Sequence, residues 1–328
     1  MAMDETFQKL LYKYEAPWTV YSVSWSNRLD KPRRIACTSF IDDYINHIQI
    51  IQFNPTTETL EKASEIDQPY PPTKVMFMPP TQSTVPDLLM TSGDNLRIYE
   101  VSQDSSPLRL KTSLHPSTET FAPSTSFDWN TVNIDRVCSC SIDSCCSVWS
   151  VETGQLVKKL IAHDKEVFDV SFAANPDIFG TVGGDGSLRM FDLRALDHST
   201  ILYESQGLVP LLRLEWNKVD PNFIATFAMD SDKVTIIDVR QPAVPYTHLK
   251  VHRNSVNAIS WAPDSNFLCS ASDDHKALIW DISPVKEGGE PQVLQYEAEA
   301  EVNNISWSKI YSEWVCASVG NQVQALRV

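Results

Sequence analysis

The sequence predicts an all-β fold, a seven-bladed β-propeller, and three observations predict it. A pattern of short strands recurs about every 47 residues, the period of a four-stranded blade. Twenty prolines and many Asp, Asn and Ser residues interrupt the chain every few positions, and no segment keeps a helical apolar period. The final repeat runs out of chain after three strands, while the start of the chain holds a spare one.

The clearest repeat is "VNAISWAPDSNFLCSASDDHKALIWDI" at 256–282. It contains an apolar alternation, a turn with Pro and Asp, a second strand, a polar turn and a third strand ending in Trp-Asp. "VFDVSFAANPDIFGTVGGDGSLRMFDL" at 167–193 has the same order. Further copies begin "VYSVSWSN" at 20, "STSFDWN" at 124, "LLRLEWNKVDPNFIATFAMD" at 211 and "VNNISWSKIYSEWVCASV" at 302, with a weaker one, "TKVMFMPP", at 73. The first strand of each unit ends on an aromatic: Trp25, Trp129, Phe172, Trp216, Trp261 and Trp307, with Met78 filling that place in the second unit. The blades therefore start near 20, 73, 124, 167, 211, 256 and 302, and residues 1–328 form one propeller. "LLYKYE" at 10–15 completes the last blade and closes the ring, which removes sheet edges that would otherwise pair with other chains. A closed ring needs no second copy, so a monomer is expected.

Composition excludes several classes of function. The chain is 42% hydrophobic, enough for a sizeable core. It has no apolar run long enough for a membrane span, and "MAMDETFQKLLYKYEA" lacks the pattern of a secretory signal. The formal charge of −15 opposes direct binding of nucleic acid, a polyanion. The one dense basic run, "KPRR" at 31–34, reads as a solvated loop. Seven cysteines with no secretory signal read as free thiols in a reducing compartment.

Asp273, Asp274 and His275 stand side by side and raise the question of a metal or acid/base site. Spacing argues for architecture instead. His252 precedes Asp274 by twenty-two residues, Ser270 precedes it by four and Trp280 follows by six. His163, Thr181, Asp185 and Phe191 repeat those offsets. Ser139, Asp143 and Trp149 repeat them too, with Phe121 in place of the histidine. The turn aspartate takes the imidazole proton, the other ring nitrogen meets the strand hydroxyl, and the hydroxyl meets the indole N–H. Asp273 and His275 are then solvated turn residues. "CSCSIDSCC" at 138–146 places its thiols on two strands with alternating faces, which suits small core residues better than zinc. "GGDG" at 183–186 lacks the Lys-Ser/Thr of a phosphate loop and reads as a hairpin turn. Neither a metal nor a cofactor is expected, nor a catalytic residue.

The repeated His, Ser/Thr, Asp, Trp/Phe and final Asp resemble WD-repeat propellers. Strings such as "YKYEAPWTVY" (12–21), "QPYPPTK" (68–74), "PDLLMTSGDNLRIY" (86–99), "LIAHDKEVFD" (160–169) and "HSTILYES" (198–205) resemble the transparent-testa-glabra and anthocyanin-regulator family, whose animal orthologues are described as cullin-ligase-associated factors. The resemblance implies a non-catalytic scaffold in nucleus and cytoplasm. Plant members bridge MYB and basic helix-loop-helix transcription factors. Animal members bridge dual-specificity and homeodomain-interacting kinases to substrates. The resemblance also implies an alternative, a substrate receptor of a cullin-RING ubiquitin ligase docking through a Trp-Asp-x-Arg box. "FDLR" (191–194) and "IDVR" (237–240) keep Asp192, Arg194, Asp238 and Arg240 but not the tryptophan, and "WDIS" (280–283) lacks the arginine.

Partner contacts are expected at one mouth of the channel. The residue four positions before each closing aromatic is Tyr21, Lys74, Thr125, Phe168, Leu212, Asn257 or Asn303. The types vary too much for a uniform core, and Tyr21, Phe168 and Leu212 are apolar anchors. The alternative is that the seven fill the channel wall. An enzyme using the channel would need acids, bases or ligands converging on the axis, and among these seven only Lys74 qualifies. The acidic surplus favours basic partner segments and speeds their approach.

Overall fold

The computed structural model describes residues 10–31, 33–80, 86–101, 108–115, 122–196 and 198–328. Strand β1 (Leu11–Glu15) precedes six complete blades. They are β2–β5 (Val20–Trp25, Arg34–Ser39, Ile45–Asn54, Thr59–Pro69) and β6–β9 (Lys74–Phe77, Leu88–Ser92, Leu96–Glu100, Arg109–Leu114); β10–β13 (Ser124–Trp129, Arg136–Ser141, Cys145–Ser150, Leu156–Ile161) and β14–β17 (Val167–Phe172, Ile178–Gly183, Ser187–Asp192, Ser199–Glu204); β18–β21 (Leu211–Trp216, Phe223–Ala228, Val234–Asp238, Pro245–Leu249) and β22–β25 (Val256–Trp261, Phe267–Ser272, Lys276–Asp281, Gln292–Glu297). The chain ends with β26–β28 (Val302–Trp307, Trp314–Val319, Gln322–Arg327). Every blade is a four-stranded antiparallel sheet, and the seventh has the order β1-β28-β27-β26. Leu11 to Glu15 pair with Leu326 to Gln322, so the chain's first strand closes the ring.

Burial follows the junctions. Seven apolar clusters are found among the described residues, each drawing on two adjacent blades. The cluster between the last blade and the first joins Tyr12 and Trp314 to Trp25 and Phe53. Tyr12 meets Phe53 edge-on with ring centroids 5.2 Å apart.

Hydrogen bonds repeat at the same junctions. In five blades the amide of the closing aromatic donates to the side chain that precedes the closing aromatic of the blade before. Phe77 N donates to Ser24 Oγ (3.3 Å), Phe172 N to Asp128 (2.7 Å), Trp216 N to Ser171 Oγ (3.1 Å), Trp261 N to Glu215 (2.8 Å) and Trp307 N to Ser260 Oγ (3.2 Å). Inner-strand groups facing the channel have no sheet partner on that side, and these side chains satisfy them.

Phe77, not Met78, takes the aromatic place in the second blade. It ends β6, is fully buried and makes the cross-blade bond. The sequence misleads here because two large apolar residues are adjacent and neither is Trp. The basic run at 31–34 also differs from a solvated loop. Arg34 is buried, pairs with Asp87 of the next blade and stacks over Phe77 at 5.7 Å. Arg33 lies over Phe53 at 5.4 Å. The Arg34 guanidinium thus ties the first blade to the second, while Arg33 packs within its own blade.

The closing strand yields a direct expectation. Tyr12→Ala opens a void in the junction that β1 helps fill, and truncating a large buried aromatic costs about 3–5 kcal/mol. Thermal unfolding followed by circular dichroism should show a clearly lowered midpoint, and an unchanged midpoint would mean that β1 does not close the ring.

Candidate protein-interaction face

In an antiparallel four-stranded meander the inner strand's start, the turn between second and third strands and the end of the outer strand share one face. The other two connections share the opposite face. Tyr21, Phe168, Leu212, Asn257 and Asn303 all start inner strands, as does Thr125. In these six blades the first pair of strands slips register at this point, between Val20 and Val23, Ser124 and Ser126, Val167 and Asp169, Leu211 and Arg213, Val256 and Ala258, and Val302 and Asn304. A bulge leaves its residue outside the ladder and re-aims its side chain. All six side chains are half-buried. Thr125 Oγ1 donates to Val167 O (2.5 Å) and Asn257 Nδ2 to Val302 O (3.1 Å), each reaching the next blade. Tyr21 stacks on Phe40 at 5.2 Å.

Lys74 does not belong to this ring. It pairs regularly with Ser92 in β6, one position inward, and lines the channel. Thr73 takes the ring position, and its Oγ1 donates to Ser124 O (3.1 Å) as Thr125 and Asn257 do in their blades. The displacement follows from Phe77 replacing Met78 as the reference aromatic.

The channel encloses about 480 Å³ and holds charges the sequence did not single out. Asp169 accepts from Ser126 Oγ (2.5 Å), Val170 N (3.0 Å) and Leu214 N (3.1 Å), and lies 3.4 Å from Lys74 Nζ. Asp128 and Lys218 are 3.8 Å apart, Glu215 and Lys309 3.9 Å. Arg213 donates to Leu212 O (3.1 Å) and Phe168 O (3.5 Å). Burial works against the Lys74 charge, but Asp169 and Asp128 more than offset it, so its pKa is raised. Burial lowers the pKa of Lys218 and raises that of Glu215. Acids thus do face the axis, yet Asp128, Asp169 and Glu215 each accept a backbone N–H of the following blade. Their first task is to join blades.

The histidine networks lie in the blade bodies. His252 Nδ1 is 3.0 Å from Asp274 Oδ2, His252 Nε2 is 2.7 Å from Ser270 Oγ, and Trp280 Nε1 donates to Ser270 Oγ (2.9 Å). One proton assignment satisfies every atom: the indole gives to the hydroxyl, the hydroxyl to Nε2, and Nδ1–H to the carboxylate. Asp274 also accepts from Arg253 N (3.0 Å) and Lys276 N (3.1 Å). In the fourth blade His163 lies 2.9 Å from Asp185 and 2.8 Å from Thr181 Oγ1, and Arg189 adds a 2.9 Å pair to Asp185.

The third blade differs. Trp149 Nε1 donates to Ser139 Oγ (3.0 Å), but Asp143 pairs with Lys159 (2.7 Å). Phe121 lies outside the described residues. Asp273 is half-buried and accepts from Asn257 Nδ2 (2.6 Å), and His275 is exposed. The residue after the network aspartate is left-handed in all three blades: Ser144, Gly186 and His275 have φ of 64°, 76° and 66°. At Gly186 a Cβ would also come within 2.7 Å of the Leu208 backbone, so only glycine fits that turn. Cys138, Cys140 and Cys146 are buried in the cluster between the third and fourth blades, and all seven cysteines are free.

Asp192, Arg194, Asp238 and Arg240 occupy the opposite face, after the third strands β16 and β20. Each arginine forks onto the aspartate two residues back, Arg194 at 2.6 Å and Arg240 at 2.7 Å. Both guanidinium groups remain exposed.

The fold and these networks define a WD-repeat propeller, a class of protein-binding platform. A family model described as "WD domain, G-beta repeat" matches residues 154–192 and 243–281. The chain is 48% identical to the "DDB1- and CUL4-associated factor 7 homolog" of Dictyostelium discoideum, over 98% of this chain and 99% of that one. A WD repeat-containing protein of Saccharomyces cerevisiae is 37% identical over 83% of this chain and 58% of its own length. One from Schizosaccharomyces pombe is 31% identical over 96% and 89%. The chain belongs to this family of WD-repeat adaptor proteins.

Two expectations follow for the sixth-blade network. Asp274→Ala leaves the imidazole unpaired and should cost about 1–3 kcal/mol, read as a lowered thermal midpoint. Its pH dependence has a definite sign. Burial lowers the pKa of His252 although Asp274 opposes this. Burial would raise Asp274, but the Arg253 amide and His252 outweigh it, so its pKa is lowered as well. Groups depressed on folding stabilise above their unfolded values and lose that effect as pH falls. The midpoint difference between wild type and Asp274→Ala should therefore be present at pH 7. It should persist or grow as pH falls through the His252 range, because Asp274 favours the charged imidazole. It should shrink below 3.8, where the unfolded chain protonates Asp274 while the folded one resists. A pH-independent difference would contradict the network.

Proposed function

We propose that this chain is a non-catalytic scaffold that assembles transcription factors of the MYB and basic helix-loop-helix types, or protein kinases, with their partners in nucleus and cytoplasm. The observation that carries this reading is the ring of bulged residues at the channel mouth. The seven blades present apolar, hydroxyl and amide side chains on one face, and Tyr21, Phe168 and Leu212 give it apolar anchors. Varied side chains on a fixed frame suit recognition of proteins better than transformation of a small molecule.

A second reading is a substrate receptor of a cullin-RING ligase, favoured by the opposite face. The name of the Dictyostelium relative associates that protein with DDB1 and CUL4. Arg194 and Arg240 carry the same Asp-Arg fork in adjacent blades, pre-ordered and exposed. The two readings use different faces and are compatible in one molecule.

The test is affinity capture from native extract with mass spectrometry. A Tyr21→Ala/Phe168→Ala variant that melts like wild type should lose transcription factors or kinases and keep any ligase adaptor. Arg194→Glu/Arg240→Glu should do the reverse. Retention of every partner by the first variant would remove the channel mouth from the account. Retention of a DDB1-type adaptor by the second would remove the forks.

A further inference from the structure

The first blade presents an aromatic surface that the ring of mouth residues does not include. Four large apolar side chains stand on the face of the channel mouth: Phe40 (53% exposed), Tyr44 (58%), Ile45 (53%) and Tyr70 (49%). Phe40 and Tyr44 come from the turn between β3 and β4, Ile45 is the first residue of β4, and Tyr70 follows β5. Tyr44 and Tyr70 meet edge-on at 5.1 Å, and Tyr70 N donates to Tyr44 O (2.7 Å). Phe40 continues the surface inward by stacking on Tyr21.

Two features show that this surface is held in place. Asn46 is fully buried beneath the turn. Its Oδ1 accepts from Ser39 Oγ (2.7 Å) and Ile41 N (2.9 Å), and its Nδ2 donates to Ile41 O (3.0 Å) and Asp43 O (3.1 Å). One buried amide thus fixes the turn that carries two of the exposed apolar side chains. Tyr70 has φ of 61°, a left-handed backbone that a bulky residue adopts only at a cost. The Tyr70 N–Tyr44 O bond and the edge-on ring contact hold it in that conformation. Exposed apolar groups held rigid without a partner are the mark of a binding surface.

Charge selects the occupant. The two stretches that build the patch, "SFIDDYINH" (39–47) and "EIDQPYPPT" (65–73), contain Asp42, Asp43, Glu65 and Asp67 and no Lys or Arg. Asp42 and Asp43 are exposed, and the Asp67 side chain is 69% exposed although it touches His47. An anionic lipid surface is repelled by such a rim, whereas a basic chain segment is drawn to it.

We propose that the first-blade patch docks a short basic segment of a partner protein, with an aromatic or aliphatic side chain set against Phe40, Tyr44 and Tyr70 and Lys or Arg on either side meeting Asp42 and Asp67. This rests on the scaffold reading and specifies where one partner class binds.

A random peptide library displayed on phage, selected on the full-length protein, tests it. Selected peptides should be rich in Lys and Arg around an aromatic or aliphatic residue. Their affinity should fall about tenfold or more in Tyr44→Ser/Tyr70→Asn. That pair leaves the core untouched, and asparagine suits the left-handed backbone, so the variant should melt like wild type. Asp42→Lys/Asp67→Lys should weaken binding and reduce its salt dependence. Three results overturn the proposal. Peptides that bind both variants as well as wild type, but not Phe168→Ala, place docking across the channel mouth and leave the scaffold reading standing. A library that enriches nothing counts against both. A self-association measured by sedimentation and abolished by Tyr44→Ser would make a second copy of the chain the occupant.

Discussion

The pairing of β1 with β28 holds the two ends of the chain together, and both faces depend on it. Without β1 the last blade has three strands, an open outer edge, and a junction with the first blade that lacks Tyr12. With it, every inner strand has a neighbour on either side. The cross-blade bonds then run from Ser24, Asp128, Ser171, Glu215 and Ser260 to the next blade's closing aromatic. Asn304 Oδ1 carries the pattern across the seam by accepting from Val23 N (3.2 Å). A ring closed in this way cannot change one blade's tilt without disturbing its neighbours, so its loops are presented from a rigid frame.

Rigidity explains how polar groups are used. Imidazoles next to carboxylates and hydroxyls are the raw material of acid/base catalysis, and this chain buries two such sets. In both, each atom is satisfied by the next, and the chain of bonds ends on a turn rather than in a cavity. The channel carboxylates are likewise committed to backbone amides. The groups that face outward from this frame are the bulged residues of the mouth, the aromatic turn of the first blade and the two Asp-Arg forks on the other face. Those are the groups available to other proteins.

The fold was legible because its signals repeat. One strand pattern, seen several times, gave the blade period, and the shortfall at one end matched the spare strand at the other. The histidine networks were legible for the same reason, since His163 and His252 share their offsets to Asp and Ser/Thr. Legibility failed where a blade departs from the pattern. The second blade has no tryptophan, so Phe77 and Met78 could not be told apart, and Lys74 was set on the mouth when it lines the channel. The third blade lacks the histidine, and Asp143 turned to Lys159 instead. Other features carry no repeating signal. Arg34 reads as a surface charge until Asp87 and Phe77 are seen around it. Asp128, Asp169 and Glu215 read as ordinary alternating polar positions, because only ring closure turns that side of the strand toward an enclosed axis. The turn at 40–45 is unique to one blade, and nothing in its residues tells that Asn46 fixes it.

Peptide-resolved amide hydrogen exchange on the full-length protein, free and bound to a captured transcription factor or kinase, tests the central claim most directly. The account predicts slowed exchange where the channel-mouth face is built, around residues 40–45, 68–73, 163–168 and 205–212, with outer strands and the turns after β16 and β20 unchanged. Protection confined to residues 192–196 and 238–244, with the channel mouth exchanging as in the free protein, would contradict it.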